Sequence, residues 1–427
     1  MTATWVKQEG DQVTIQFTVT LTGQMLNDER ALQDSLNAAG RIAMEPMLKQ
    51  FDTKGEPIRV GPVKHTVKDY APQTYETPYG PVVVERYTYQ SSQGGRGYVP
   101  LENDARMTLN STPRYGQIVS GKYARIGADA IAEDLLECNG RKISRNYAKK
   151  LSDFVGSIAQ AYETEWEYDL PEFETPVSSI GIGLDGTCML MHETGWREAM
   201  CGSISFYDKE GERQHTIYCA ASPEYGKEKF KAKFSREIER VKERFPDLLY
   251  LGIADGAKDN WIFLKQYTTR QVLDFYHARE YISKAASAIF GKDKKSKDAW
   301  VDDWSSRLKH QQGTASRFIK ELESQRAHLD KRNWIERDEE IRMVITYYTN
   351  NQNRMCYAYQ EKHHLPIGSG VTEAACKTLV KQRMCLSGSR WRDAGASCVL
   401  ALRALKLTKD RWQQFWGYVM RHGCTAY

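Results

Sequence analysis

Three carboxylates stand at positions from which a folded chain could bring them together. Asp185 and Asp255 each end an apolar run, 178–184 and 248–254, and a glycine follows each aspartate. Both runs are predicted to be buried strands, and functional residues of open α/β sheets gather at such strand ends. Glu373 lies near the start of a predicted helix, beside basic residues. This arrangement suits the binding of a hard cation close to a polyanion.

Each of these features also has a purely structural interpretation, which the residues alone do not exclude. An aspartate–glycine pair after a strand is commonly a turn. Glu373, Lys377 and Lys381 recur at every fourth position and share one helix face, which is also typical of a solvated surface. Two such aspartates in one predicted sheet, with a helix glutamate downstream, favour a common site.

Basic residues are concentrated at the C-terminal end of the chain. The formal net charge of the whole chain is +5, yet residues 360–427 alone contain eleven Lys and Arg against four Asp and Glu. The same stretch carries Trp391, Trp412 and Trp416. Basic and aromatic residues together indicate contact with a nucleic-acid backbone.

Cysteine usage and hydropathy exclude several classes of protein. The nine cysteines are scattered, and no two form a Cys-x-x-Cys pair. This pattern argues against a zinc ribbon and against a secreted disulfide scaffold. The N-terminus has no apolar signal region and no stretch is long enough to span a membrane, so we expect a cytoplasmic protein without a membrane partner.

The first 165 residues are predicted to form two small domains. Residues 1–112 read as an α+β region with a strand at 13–21, a helix at 29–51 and short strands within 58–101. Residues 113–165 contain helices at 126–136 and 145–160 joined by a short Gly-containing turn, which is typical of a helix-turn-helix DNA-binding domain. Arg145 and Lys149 are then candidates for DNA contact, although any helical hairpin gives the same pattern.

A different sequence pattern, of strands alternating with helices, begins at Val177, after an acidic, Pro-bounded linker at 163–176. Strands are predicted at 178–185, 199–208, 215–221, 248–255 and 271–277, with helices at 225–245 and 278–289. Three strands followed by helix, strand, helix and strand is the order of the ribonuclease-H-like α/β fold. The predicted division is a first part of this core at 177–290, an all-helical insertion at 291–360 with Trp300, Trp304 and Trp334, and a C-terminal part at 361–427.

Six segments stand out together: Leu184-Asp-Gly-Thr187, Ala254-Asp-Gly256, Asp274-Phe-Tyr-His277, Ile367-Gly-Ser-Gly-Val-Thr-Glu-Ala-Ala-Cys-Lys377, Lys381-Gln-Arg-Met384 and Ser387-Gly-Ser-Arg-Trp391. With them the chain resembles a transposase of the DDE superfamily, in the Kra-type insertion-sequence group related to Mutator-like elements. The resemblance runs from about Val177 to the C-terminus, and the joint pattern is specific although each segment alone is not.

The resemblance implies a metal-dependent transposase that binds the terminal repeats of an insertion sequence, cleaves a DNA strand and transfers it. Two Mg²⁺ ions, which Mn²⁺ can replace, are expected on three carboxylates. Asp185 would bridge both ions, Asp255 would bind one and Glu373 the other. Asp274 and His277 match an auxiliary motif that either orients a phosphate or is structural. Expected phosphate contacts come from Lys377, Lys381, Arg383, Arg390 and Arg392, with Trp391 either stacking on a base or packing.

One departure concerns zinc. Related proteins often carry a Cys-x-x-Cys ribbon, whereas here the corresponding segment Tyr87 to Glu102 contains no cysteine. We therefore expect no structural zinc. The expected partner is double-stranded DNA, both element ends and target, and joining two ends implies a homodimer or higher oligomer. The alternatives are a ribonuclease-H-like nuclease without joining activity and a non-catalytic DNA-binding protein derived from a transposase.

Overall fold

A computed structural model of the chain describes residues 2–10, 12–163, 167–327 and 334–424. The chain forms two compact units. The first comprises Met1–Asp169, Ala394–Lys406 and Asp410–Tyr427, and the second comprises Leu170–Asp393 and Leu407–Lys409. The sequence-based segment 361–427 is thus divided between the units, with most of its helical end in the first.

The N-terminal part of the first unit combines a hairpin, a long helix and a three-stranded antiparallel sheet. Its elements are β1 Thr2–Glu9, β2 Gln12–Thr18, α1 Met25–Lys49, β3 Ile58–Val60, β4 Val63–Thr77 and β5 Gly80–Ser91. Where several short strands were expected, β4 and β5 form one long ribbon. The pairing runs from His65–Ser91 to Thr77–Gly80 with one register shift between Val67 and Asp69, and the end near the turn buries Tyr75, Val82 and Val84.

A group of helices follows in the same unit. These are α2 Pro100–Asp104, α3 Pro113–Tyr123, α4 Ala128–Asn139 and α5 Arg145–Ala161. The predicted helical hairpin corresponds to α4 and α5. Gly140 ends α4 in the left-handed conformation, and the Ser144 hydroxyl caps α5 by accepting a hydrogen bond from the Tyr147 N–H at 3.1 Å.

The second unit is built on a mixed five-stranded sheet. Its elements are β6 Ser179–Met191, β7 Gly195–Tyr207, β8 Arg213–Ala221, α6 Lys227–Arg244, β9 Leu249–Ala254, α7 Lys258–Tyr267, β10 Arg270–Leu273 and α8 Phe275–Phe290. The strand order is β10-β9-β6-β7-β8. Strands β6, β9 and β10 are mutually parallel, whereas β7 and β8 are antiparallel to their neighbours. The α/β class and the five predicted strands are confirmed.

Two strand boundaries differ from the predicted ones. β6 does not end at Asp185, because its antiparallel pairing with β7 continues to Met191; only its pairing with β9 stops, at Gly183. β10 ends at Leu273, because the Asp274 side chain caps α8 and draws His277 into the first turn of that helix.

The rest of the chain is helical. It comprises α9 Lys294–His310, α10 Thr314–Ala327, α11 Trp334–Asn351, α12 Tyr357–Lys362, α13 Gly370–Ala375, a π-helical segment Cys376–Lys381, α14 Gln382–Met384, α15 Asp393–Leu407 and α16 Arg411–His422. Trp300 and Trp304 pack with Phe318 in the core, and the side chain of Trp334 lies outside the described residues. No helix in the described ranges combines the length and apolarity needed to cross a membrane.

Candidate active site

The register of two parallel strands places Asp185 beside Asp255. β6 pairs with β9 so that Gly183 lies opposite Ile253, and each aspartate follows its paired residue by two positions. Because side chains alternate along β6, Asp185 lies on the same face of the sheet as Gly183. Asp255 directly follows the end of β9, and its negative charge contributes to the raised pKa of Asp185. Buried apolar residues of β6, Ile180, Ile182 and Leu184, occupy the opposite face. Backbone pairing therefore positions the first two carboxylates.

Glycine at position 183 of β6 lets a helix approach that face closely. A Cβ atom on Gly183 would clash with Oγ1 of Thr372 in α13. The hydroxyls of Ser203 and Thr372 form a hydrogen bond of 2.8 Å, which ties α13 to the neighbouring strand β7. The alternation Ile-Gly-Ile-Gly-Leu-Asp in β6 thus provides an apolar face for the core and a flat face for the Glu373 helix.

Glu373 reaches the edge of the same site from α13. Its Oε1 accepts a hydrogen bond from the Ser369 hydroxyl at 2.8 Å and lies 4.0 Å from Nδ1 of His277. Three residues beyond Glu373, the Cys376 thiol donates to Oδ2 of Asp185 at 3.6 Å. The three predicted carboxylates thus come from β6, from the residue after β9 and from α13, and their oxygens do not all lie within 4.8 Å of one another.

Asp274 anchors the start of the Glu373 helix. Its side chain is fully buried, and Oδ2 accepts hydrogen bonds from the Ser369 N–H at 2.5 Å and the Ser369 hydroxyl at 2.9 Å. Oδ1 accepts from the His277 N–H at 2.7 Å and lies 3.1 Å from His277 Nδ1. One carboxylate thus fixes the first turn of α8 and the residue that precedes α13.

Burial, neighbouring charges and hydrogen bonds shift the pKa values of Asp185, Asp274 and His277. Burial raises the pKa of Asp185 above its ordinary value of 3.8; the Gly186 N–H opposes the rise, and the negative charges of Asp255 and Glu373 add to it. The hydrogen bond that His277 donates to Asp274 raises the pKa of His277 to about 9. Although burial favours the neutral acid, the hydrogen bonds from His277 and Ser369 keep the pKa of Asp274 below 3.8. Asp185 therefore lies where a cation would relieve repulsion.

Among the described residues, one set of three potential metal ligands, Asp274, His277 and Glu373, has its ligand atoms within 4.8 Å of one another. Both oxygens of Asp274 are already engaged by His277 and Ser369. Asp274 therefore has the geometry of a residue that positions Ser369 and His277, and it has no free oxygen for a metal ion.

The predicted DNA-contact residues of the second unit fall into two groups. Lys377, Lys381, Arg390 and Arg392 are exposed. Arg383 is 4% exposed and its guanidinium lies 5.1 Å from the ring centre of Trp391. The Trp391 indole donates to the Met384 carbonyl at 2.8 Å, and the Trp391 backbone bridges to Met191 at the end of β6. For Arg383 this differs from the predicted DNA contact, because the side chain is buried against Trp391, whereas for Trp391 it agrees with the packing alternative.

The candidates in the first unit also have protein partners. Arg145 lies 3.5 Å from Asp129, and Lys149 pairs with Asp153 one turn along α5. Trp412 and Trp416 of α16 are both 5% exposed, so they belong to the core of this unit. The exposed Arg145 and Lys149 side chains remain accessible to a phosphate, whereas the two tryptophans do not.

Comparison with protein-family models and with curated protein sequences returns no match. Sequence reasoning missed Ser369, Thr372 and Cys376 as contacts of the site. It also missed Tyr347 of α11, whose hydroxyl donates to the backbone carbonyl of Asp255 at 3.1 Å. The glycines at every second position before Asp185 were the available signal for a close helix; nothing local marks Tyr347, which is 92 residues from its partner.

Proposed function

We propose that the protein is a DNA transposase that cleaves and transfers DNA strands at the ends of a mobile element. The observation that supports the proposal is the position of Asp185. Its strand pairs with the strand that precedes Asp255, and its Oδ2 accepts a hydrogen bond from Cys376, three residues beyond Glu373. The exposed lysines and arginines that follow Glu373 support a polyanionic substrate.

The residues at the site fit a pair of divalent cations. All three predicted ligands are carboxylates, which hard cations such as Mg²⁺ and Mn²⁺ prefer, and the pKa of Asp185 is raised by burial and by the two other charges. Asp185 would hold both ions, Asp255 one and Glu373 the other. When bound, such ions activate a water or a 3′-hydroxyl and stabilise the leaving oxygen.

The chain's own residues orient the reacting groups. Asp274 accepts a hydrogen bond from the Ser369 N–H, and the Ser369 hydroxyl can donate its proton to the Glu373 carboxylate at 2.8 Å. His277, whose pKa is raised by its hydrogen bond to Asp274, lies beside Glu373, where it can orient a substrate phosphate. Lys377, Lys381, Arg390 and Arg392 would contact the DNA backbone and keep the duplex in register.

The finer architecture is part of the proposal. The strand order and the positions of α6, α7 and α8 support a ribonuclease-H-like core, and α9 to α12 support an all-helical insertion between α8 and α13. Helices α4 and α5 would act as a helix-turn-helix reader.

We further propose a cytoplasmic, nucleoid-associated protein that pairs two DNA ends as a dimer or higher oligomer. Light scattering of the DNA complex would disprove pairing if its mass were that of one chain on one unpaired DNA end.

The decisive experiment combines purified protein with a supercoiled plasmid carrying the element ends. Nicking and joined products are expected with Mg²⁺ or Mn²⁺, and DNA binding without turnover with Ca²⁺. Cleavage without any joined product would indicate the nuclease alternative, and binding without cleavage in every metal would indicate a non-catalytic protein. Elemental analysis of the same sample should give less than one zinc per chain.

A further inference from the structure

A large groove opens beside Asp255, between the sheet's helices and the long helix α11. Its volume is about 1530 Å³, and α7, α8 and α11 supply its walls, all within the second unit. Small-molecule pockets usually measure about 300–1,000 Å³. A polymer segment is therefore a better match to this groove than a single metabolite.

The wall formed by α7 is basic with an apolar centre. Lys258, Ile262 and Lys265 follow one another at spacings of four and three residues, so they share a helix face, and all three are exposed. Ile262 is 56% exposed and, on the α11 wall, Met343 is 57% exposed. Within the described parts of the chain, neither Lys258 nor Lys265 forms an ion pair. The groove thus offers unpaired cations beside uncovered apolar side chains.

Aromatic residues join the groove to the candidate active site. Tyr281 of α8 and Tyr347 of α11 stack with ring centres 3.6 Å apart, and the Tyr347 hydroxyl binds the Asp255 backbone carbonyl. The Lys284 ammonium lies 4.2 Å from the Tyr281 ring centre. One end of the groove is therefore aromatic and basic and begins at the residue that follows Asp255.

The other end of the groove is acidic. Glu339 and Glu340 of α11 line it about two turns from Tyr347, and Asp338 there is neutralised by Arg326 at 2.6 Å. The charge therefore changes along α11, and a polyanion would bind at the end near Asp255.

We propose that the end of this groove near Asp255 binds single-stranded DNA leading away from the cleaved phosphodiester. Lys258, Lys265 and Lys284 would contact phosphates, and Ile262 and Met343 would contact unstacked bases. A duplex presents mainly phosphates to a protein surface, whereas single strands also expose base faces that stack on apolar and aromatic side chains. The inference rests on the proposed function, because it assumes that strand cleavage takes place at Asp255.

The test measures binding of the full-length protein to a fluorescent oligothymidylate of about 20 nucleotides, which exceeds the span of a typical single-strand site. Ca²⁺ replaces Mg²⁺ so that cleavage does not interfere. The double variant Lys258→Gln/Lys265→Gln should weaken binding at least about tenfold. Because each contacted phosphate of a single strand contributes about 0.7 to the logarithmic salt slope, the slope should fall by about 1.4 between roughly 50 and 200 mM salt.

The matched control changes two other exposed lysines of the same unit that do not line the groove, Lys294→Gln/Lys295→Gln. It should leave affinity and salt slope unchanged. Met343→Glu places a charge on an exposed position, so the fold should tolerate it, and it should weaken single-strand binding about tenfold. Unchanged thermal unfolding of the variants verifies that they are folded.

Several outcomes would overturn the inference. One is single-strand affinity in the groove double variant equal to that of the wild type. Another is equal loss for duplex and single strand, which would make the groove a general polyanion surface. If the groove variants weaken single-strand binding but the protein never cleaves DNA, the proposed function is wrong and the groove remains a single-strand binding site. If the protein cleaves DNA and the groove variants bind single strands normally, the inference about the groove is wrong and the proposed function remains.

Discussion

The carboxylates on the sheet and the carboxylate on the helix are positioned by different means. Asp185 and Asp255 follow residues that are paired in a parallel ladder, so the backbone of two strands sets their separation. Glu373 follows a short turn whose conformation depends on hydrogen bonds from Ser369 to one buried side chain, Asp274. The sheet pair is therefore expected to tolerate single substitutions nearby, whereas the helix carboxylate depends on a few side chains.

The largest effect should come from the sheet pair itself. Asp185→Asn removes the predicted bridging ligand, and a loss of several kcal/mol of transition-state stabilisation lowers strand cleavage on the order of 1000-fold or more. DNA binding should stay within about twofold, since no phosphate contact is lost. The raised pKa of Asp185 means that its charged form is unfavourable in the folded protein. The neutral asparagine removes this cost, so the metal-free variant should unfold at the same or a higher temperature than the wild type.

Gel analysis of plasmid nicking and filter binding of end DNA measure the two quantities. The control is Asp259→Asn, an exposed aspartate of α7, which should leave both unchanged. Cleavage by Asp185→Asn at the wild-type rate would remove the sheet pair from the mechanism.

The second effect tests the anchor of the helix carboxylate. Asp274→Asn cannot accept all the hydrogen bonds of the carboxylate, so Glu373 should lose its position and cleavage should fall about 10–100-fold. The Mg²⁺ concentration for half-maximal cleavage should rise. Loss of charge-assisted hydrogen bonds at this buried position should also cost about 2–3 kcal/mol in the free energy of unfolding.

Ser369→Ala serves as the graded control, because it removes the hydroxyl but keeps the backbone N–H that binds Asp274. Its cleavage should fall only a few-fold, a fraction of the loss in Asp274→Asn. If Asp274→Asn lowered stability and left the metal dependence of cleavage unchanged, Asp274 would be structural only.

The third effect probes the contact between strand and helix. Gly183→Ala places a methyl group against Thr372, so α13 must shift away from β6. Overpacking of this kind costs about 1–3 kcal/mol, and displacement of Glu373 should lower cleavage about tenfold. Chemical denaturation and nicking assays measure the two. Gly370→Ala in the first turn of α13 meets no atom within 4 Å and should be neutral; equal behaviour of both variants would refute the close approach.

The smallest effect concerns proton binding at His277 in the metal-free protein. Its pKa is raised from 6.5 to about 9, so its contribution to stability is complete below pH 6.5 and is lost as the pH rises through about 9. NMR titration of the ring should give this pKa, with His277→Gln used for assignment. In Asp274→Asn the pKa of His277 should fall. A ring that titrates near 6.5 in the wild type would mean that the Asp274–His277 contact is absent in solution.

The sheet was predictable from sequence and the helix contacts were not. Apolar runs that end in aspartate identified β6 and β9, because burial on both faces leaves a strong local pattern. The continuation of β6 beyond Asp185 was not predictable, since it depends on pairing with β7 rather than on its own composition. Arg383 was predicted to contact phosphate, and only tertiary packing shows that it is buried against Trp391. Residues that act through partners nearly a hundred positions away leave no local signal.

The π-helical segment Cys376–Lys381 begins three residues after Glu373 and contains the first two basic residues that follow it, Lys377 and Lys381. A π-helical turn contains one residue more than an α-helical turn. Deleting one residue from 376–381 would restore regular α-helix and rotate everything downstream by about 100° relative to Glu373. The exposed Lys381 would then exchange its environment with a buried neighbour. The length of this segment should therefore be as strictly constrained over evolutionary time as the identity of the glutamate that precedes it.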